Sequence, residues 1–284
     1  MDCDIEPTPQ ICEKNIKFPI DIMSDLHLEF HPKISSLEHM VDKHIIKLPE
    51  DTKDRTLILA GDIGYAYTTQ YWSFLESCCK MYDSVICVLG NHEFYSKSSN
   101  QMFIDDILNM IKIKRVLYSN LFILMDEIVD FNNFRVIGGT MWTNIEESAK
   151  KYVRTYMKDY SMIFKSKHIP ITVDDTVEMH KKTKTVMKYG IETSIKPIIV
   201  VTHHLCSDDL IHDKYKDNPL ITAFSTDMTD IVNDKVVLWV CGHTHSKMNK
   251  EIKHSMGKFC AIVNPLGYPE ENKHFDLESF ILPN

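Results

Sequence analysis

An α/β fold is predicted for this chain by three observations: short apolar runs rich in β-branched residues, amphipathic stretches of helical period among them, and a hydrophobic share large enough for a sizeable core. The runs occupy residues 20–23, 57–60, 85–89, 198–201 and 236–241, and each reads as a buried strand. At 284 residues and 44% hydrophobic content, the chain fits one large α/β domain.

Each run leads directly into residues of metal-ligand type. In order these are Asp25 and His27, Gly61-Asp62, Gly90-Asn91-His92-Glu93, His203-His204, and Gly242-His243-Thr244-His245. In an open α/β sheet the loops at the carboxyl ends of the strands converge on one crevice, so these side chains are expected to share a site. One Asp-x-His or His-x-His carries little weight alone, but five such endings at equivalent positions form a pattern.

The remaining elements follow from local signals. Residues 1–17 are polar and proline-containing, which predicts a loose N-terminal extension before one folded domain over 18–284. Residues 101–112 have helical period, with Phe103, Ile104, Ile107, Leu108 and Ile111 on one side. Residues 121–124 and 134–137, separated by a stretch containing Asn132-Asn133, read as a strand pair. Gly138-Gly139 then lets the backbone return toward the crevice, where Trp142 either shapes a wall or packs beneath it.

Two helices, at about 145–163 and 173–194, form a helical insert; Asp174-Asp175 suits the positive end of the second helix dipole. The insert carries Lys150, Lys151, Arg154, Lys158, Lys181, Lys182 and Lys184 beside Tyr152, Tyr156 and Tyr160. This mixture is either a solvated face or a cap over the substrate. Within it Arg154 is the candidate phosphate clamp, because a guanidinium pairs with phosphate oxygens in bidentate fashion. A last strand over 261–263 ends in Asn264-Pro265, where turn chemistry or substrate contact by Asn264 and Tyr268 would each explain the residues.

The segments Asp25-Leu26-His27, Gly61-Asp62-Ile63-Gly64, Gly90-Asn91-His92-Glu93, Thr202-His203-His204 and Gly242-His243-Thr244-His245 resemble, in order and spacing, the calcineurin-like metallophosphoesterases, over about residues 18–268. The resemblance implies two mixed β-sheets packed face to face and flanked by helices, a sheet pairing that periodicity alone does not supply. It implies that Asp25, His27 and His245 hold one metal and Asn91, His203 and His243 another, with Asp62 bridging. Carboxylate, imidazole and amide ligands suit two divalent transition-metal ions, manganese first, with iron, zinc and nickel as alternatives.

A pair of such ions, roughly 3.5–4 Å apart, clamps a phosphoryl group and acidifies the water between them. The expected activity is therefore hydrolysis of P–O bonds in a small-molecule or nucleotide-type phosphodiester, or a monoester, by a metal-bridging hydroxide. The alternatives are a nuclease and an interaction scaffold that keeps the fold without hydrolysis; no substitution at the seven ligand positions argues for the scaffold. Serine/threonine protein phosphatase activity is disfavoured, because the stretches Asp62-Ile63-Gly64-Tyr65 and Val88-Leu89-Gly90 lack that branch's acid and arginines.

His92 is the candidate general acid, since it follows the ligand Asn91 and an imidazole can protonate a departing alkoxide near neutral pH; a purely orienting role is the alternative. With the usual acid absent, Tyr65 or Glu93 is left to orient it. Glu93 itself reads as a hydrogen-bond partner and not as a catalyst. His204, adjoining His203, is either a substrate-facing donor or a solvated loop residue. His31, His44, His168, His180 and His274 read as packing or surface residues.

The net charge of −8, from 40 acidic and 32 basic residues, argues against a stable nucleic-acid partner. The eight cysteines show no CxxC spacing, as expected in a reducing compartment. Neither a signal peptide nor a membrane-spanning run is apparent, so the expected location is the cytoplasm and the expected partner a phosphorylated small molecule or nucleotide.

Overall fold

The computed structural model describes residues 7–97, 101–216, 218–273 and 275–282. In chain order the first half runs β1 (Gln10–Ile11), β2 (Ile20–Met23), α1 (Leu37–Asp42), β3 (Thr56–Ala60), α2 (Thr69–Met81), β4 (Ser84–Val88), α3 (Ile104–Arg115) and β5 (Leu121–Leu124). The second half opens with β6 (Glu127–Asp130), β7 (Arg135–Gly139), α4 (Glu147–Tyr156), α5 (Asp159–Met162), β8 (Phe164–Ser166) and β9 (Ile169–Pro170). It continues through α6 (Val173–Glu192), β10 (Ile198–Thr202), β11 (Val236–Cys241), β12 (Met248–His254), β13 (Gly257–Val263) and β14 (Glu278–Phe280).

These strands build a seven-stranded sheet in the order β1-β6-β7-β10-β11-β13-β12 and a five-stranded sheet in the order β14-β2-β3-β4-β5. Both are mixed: β2, β3, β4 and β5 run parallel, as do β7, β10, β11 and β13, with antiparallel β14 and β12 at the edges. The sheets pack face to face through Ile20, Ile22, Ile58, Ile86 and Val88 on one side and Val136, Ile199, Val201, Leu238 and Val240 on the other. Alternate residues of the same strands point outward. Leu57, Leu59, Val85 and Cys87 meet the apolar sides of α2 and α3, while Ile137, Val200 and Trp239 share a core with Met187 and Ile191 of α6.

Covered on both faces, the central strands read as unbroken apolar runs and not as alternating ones. Each buried Leu, Ile or Val contributes on the order of 1.5–3 kcal/mol, so the sandwich is a rigid base for whatever its loops carry.

Two elements depart from the sequence expectation. The pairing expected between 121–124 and 134–137 is not formed: β5 joins β4 in the five-stranded sheet, while β7 makes a hairpin with β6. The chain changes sheets at Asp126, whose φ of 57° is left-handed and turns the backbone sharply. The helix expected over 145–163 is two, because Met157 is extended (φ −87°, ψ 130°) between α4 and α5. Neither proline nor glycine marks that break.

At the amino end, Gln10 and Ile11 pair in parallel with Val129 and Asp130 of β6, while residues 1–6 of the stretch expected to be loose fall outside the described residues, as does His274. Among the described residues no helix is long and apolar enough to cross a membrane.

Candidate metal and catalytic site

The parallel order of the strands brings five loops to one edge of the sandwich. Asp25 and His27 follow β2, Asp62 follows β3, Asn91 and His92 follow β4, His203 follows β10, and His243 and His245 follow β11. Asp25, His27, Asp62, His243 and His245 all have positive φ, between 45° and 72°. A non-glycine residue in that region costs of order 1–3 kcal/mol, and such strain persists where the surroundings fix a functional geometry. Gly61, at φ +82°, is needed here, since a Cβ would lie 2.6 Å from His203 Nδ1 and 2.7 Å from the Gly90 nitrogen.

Three groups of ligand-type atoms result among the described residues, of which one, His27, Glu29 and His92, is the hydrogen-bonded cluster described below. Of the other two, Asp25, His27 and His245 form the first, and Asp62, His203 and His243 the second, with the atoms of each group within 4.8 Å of one another. Asn91 Oδ1 joins the second, 3.1 Å from His203 Nε2. Asp62 lies between them: its Oδ2 is 3.8 Å from His27 Nε2 and 3.4 Å from His203 Nε2.

The chemistry of the donors fits cations. His27 Nδ1 lies 3.3 Å from Glu29 Oε1, His203 Nδ1 lies 2.9 Å from the Ala60 carbonyl, and His245 Nδ1 lies 2.6 Å from Glu271 Oε2. Each ring thus directs Nδ1 outward to an oxygen acceptor and Nε2 inward, the arrangement that readies an imidazole for a metal. His27 Nε2 and His245 Nε2 face each other at 2.9 Å, His243 Nδ1 faces His203 Nε2 at 3.2 Å, and buried Asp25 Oδ2 has no hydrogen-bond partner. Buried polar atoms are normally satisfied, so these facing nitrogens and the orphan oxygen mark where positive charge belongs.

The local field agrees. Burial opposes a charge on His203, yet the adjoining carboxylates of Asp62 and Asp25 push it up to about 10. Burial likewise works against ionised Asp62, but His203, His92 and His27 hold it well below the ordinary carboxylate range. His204 goes the other way: burial and neighbouring His203 push it down to about 3.

Around this centre Glu93 ties two loops together. It accepts from the backbone N–H of Asp62 (3.0 Å), Ile63 (2.8 Å) and Gly90 (2.7 Å). His92 is held by neither Glu93 nor Tyr65. Its Nδ1 lies 2.6 Å from Glu29 Oε1, its ring stacks on Tyr95 at 4.2 Å, and its backbone N–H donates to Asp62 Oδ1 at 2.8 Å. The orientation of His92 therefore belongs to Glu29, a residue the sequence reading passed over although it stands two positions after His27. Tyr268, for which the sequence leaves turn chemistry and substrate contact both open, has its hydroxyl 3.4 Å from His92 Nε2 and its ring 4.5 Å from that of His27.

The centre opens into a cleft of about 440 Å³ that His92, Tyr268 and residues of the insert line. Arg154 is not among the lining residues: Ala149 and Val153 take the inward face of α4 and leave Arg154 exposed to solvent. Tyr156, Lys158 and Asp159 reach the cleft instead. His204 is buried, neither solvated nor in the cleft lining, with Nδ1 3.2 Å from the Thr140 carbonyl and its ring 4.3 Å from that of His243. Trp142 packs beneath, buried in the core over the five-stranded sheet. Asn264 is also internal, donating to the carbonyls of Ile22 and Asp276.

Two mixed sheets in a helix-flanked sandwich, with Asp, Asn and His side chains gathered at one edge, define a class of metal-dependent phosphoester hydrolases. The chain belongs to the calcineurin-like phosphoesterase family, whose model matches residues 18–247. More particularly, it is 31% identical over 272 residues to the uncharacterized protein L509 of Acanthamoeba polyphaga mimivirus, covering 91% of this chain and 94% of that one. Among solved structures, the phosphopantetheinyl hydrolase of Mycobacterium tuberculosis shares the fold, with a TM-score of 0.63 and 17% identity over 94% of this chain and 96% of its own.

Proposed function

We propose that this phosphoesterase hydrolyses P–O bonds of a small-molecule or nucleotide-type phosphodiester, with monoesters as the lesser substrates, at a centre for two divalent ions. The observation that carries this reading is the placement of Asp62 Oδ2 between the two groups of donors, 3.8 Å from His27 Nε2 and 3.4 Å from His203 Nε2. Asp25, His27 and His245 would hold one ion, Asn91, His203 and His243 the other, and Asp62 both. Once bound, the ions supply charge to the phosphoryl oxygens and acidify a water molecule at neutral pH.

The chain's own groups do the rest. His92 holds a proton on Nε2, directed at the cleft, for the departing oxygen, while Glu29 accepts from Nδ1 and fixes the ring. Burial works against protonated His92, but the charges of Asp62 and Glu29 prevail and raise it above the ordinary histidine value. The preference for diesters follows from that donor, because an alkoxide leaving group needs a proton. Manganese is the proposed metal from the mixture of imidazole and oxygen ligands. A cytoplasmic setting is proposed on the cysteines, of which Cys78, Cys87, Cys206 and Cys241 are buried free thiols.

Turnover of bis(p-nitrophenyl) phosphate and of p-nitrophenyl phosphate by manganese-loaded protein, with metal content measured, tests the proposal. Two ions per chain and measurable ester turnover are expected, and the diester-to-monoester ratio is read with alkyl esters, whose leaving group needs the proton. A folded, loaded protein that turns over neither ester would overturn it.

A further inference from the structure

The cleft beside the metal ligands has two parts of different chemistry. Next to the centre it is polar. Beyond, Ile211, Leu220, Ile221 and Phe224 form an apolar wall, faced by Tyr156 and Met157 from the insert. The wall is tied to the insert by a shared core in which Val153 and Val177 pack with Ala223, Leu220 and Phe224. Phe224 carries it up to the centre, with its ring 4.7 Å from that of His243.

One carboxyl interrupts this surface. Asp159 lines the cleft with Asn91, His92 and Tyr95, is only 2% exposed, and its Oδ2 has no hydrogen-bond partner. A buried carboxylate oxygen without a donor is costly and calls for an N–H or O–H from elsewhere. Apart from histidines, the lining offers one cation, Lys158, against the acids Asp62, Asp159 and Glu271. Asp62 and Glu271 belong to the metal centre, the latter 2.6 Å from His245 Nδ1, so away from it Asp159 is set against Lys158 alone.

The structure assigns this arm of the cleft to the organic group of the ester: a flat, apolar ring system bearing a hydrogen-bond donor toward Asp159. This inference rests on the phosphoesterase reading above and narrows it. A nucleoside-type phosphoester fits the description, whereas a small alkyl phosphate does not. A cleft of about 440 Å³ falls within the range that encloses such a group.

Non-hydrolysable phosphonates separate the arm from the chemistry. Calorimetric titration of the manganese-loaded protein should show phenylphosphonate binding about tenfold tighter than methylphosphonate, and Ile221→Ala should shrink that ratio with metal content unchanged. Aminophenylphosphonates, tested as meta and para isomers, should bind about tenfold tighter than the matching carboxyphenylphosphonates. Asp159→Asn, which keeps the shape and removes the charge, should bring those two affinities together.

Equal binding of phenyl- and methylphosphonate, or an amino-to-carboxy ratio that Asp159→Asn leaves unchanged, would overturn the assignment while the loaded protein still turns over simple esters. If Asp159→Asn does not fold, the Ile221→Ala ratio and the wild-type ratios decide. Failure of every phosphonate to bind, together with no ester turnover, would overturn the phosphoesterase reading and this inference with it.

Discussion

Glu29 Oε1 lies 2.6 Å from His92 Nδ1 and 3.3 Å from His27 Nδ1, so one carboxylate orients both the candidate acid and a candidate metal ligand. Burial raises the pKa of Glu29, but its hydrogen bonds with His27 and His92 outweigh that and keep it below the ordinary glutamate value. Both imidazoles thus present Nε2 to the site with the other nitrogen fixed.

Glu29→Gln keeps the size and removes the charge. Turnover should fall about 10–100-fold, the usual effect of losing an outer partner of a metal or catalytic histidine. Glu29 is one of the groups that raise His92, so the variant's His92 should release its proton at lower pH. An acid acts while protonated, and the basic limb of the pH profile should therefore move to lower pH. An unmoved limb would assign Glu29 to structure alone.

His92→Ala should lower turnover by about 10²–10⁴-fold, the range for a general acid. Metal content should stay at the wild-type level, because the ring is outside both groups of ligands proposed for the ions. The loss should be steeper for alkyl leaving groups than for p-nitrophenolate, which departs without a proton. Equal losses across a leaving-group series would remove the acid role.

Asp62→Ala takes away the carboxylate shared by the two donor groups, and the mutual repulsion of two cations then goes unscreened. Metal analysis should find fewer than two ions per chain, and ester hydrolysis should be abolished. A variant that keeps its full metal complement would exclude Asp62 as the bridge.

Asp126 stands at the turn where the chain passes from β5 to β6. Burial pushes its pKa up to about 6 from an ordinary 3.8, opposed in part by the hydroxyl of Thr183, which donates to Oδ1 at 2.8 Å. With the folded value above the unfolded one, its contribution is fully present below pH 3.8 and is lost as the pH rises through about 6. Asp126→Asn removes that loss, and asparagine tolerates the residue's φ of 57°. The variant should be more stable than wild type at pH 7.5 by about 1–2 kcal/mol. Chemical denaturation across pH 4–8 should show the difference vanish toward the acid end; a constant difference would refute the titration.

How much of this was legible depended on distance along the chain. The strand runs and the ligand residues at their ends could be read directly, because a buried parallel strand and a metal-ligand loop each leave a short contiguous signature. The exchange of partners between β5 and β6 could not, since Glu127-Ile128-Val129-Asp130 is short and charged at both ends, and the turn rests on one left-handed aspartate. Glu29 lay inside the first motif and was missed for a different reason. Its partner is 63 positions away, and nothing local says that Glu29 and His92 meet. Arg154 was misplaced because helix phase was not pursued: Ala149 and Val153 claim the inward side and turn the guanidinium to solvent. Asp159 left no signal, since a buried carboxyl reads the same as an exposed one in a helix rich in charge.

Asp25, Asp62 and Asn91 extend from strands of the five-stranded sheet, whereas His203, His243 and His245 extend from strands of the seven-stranded one. Any cation these residues hold therefore fastens one half of the molecule to the other, like a rivet through two plates. Chelators should lower the melting temperature as well as stop hydrolysis, and both should return together on titrating manganese back.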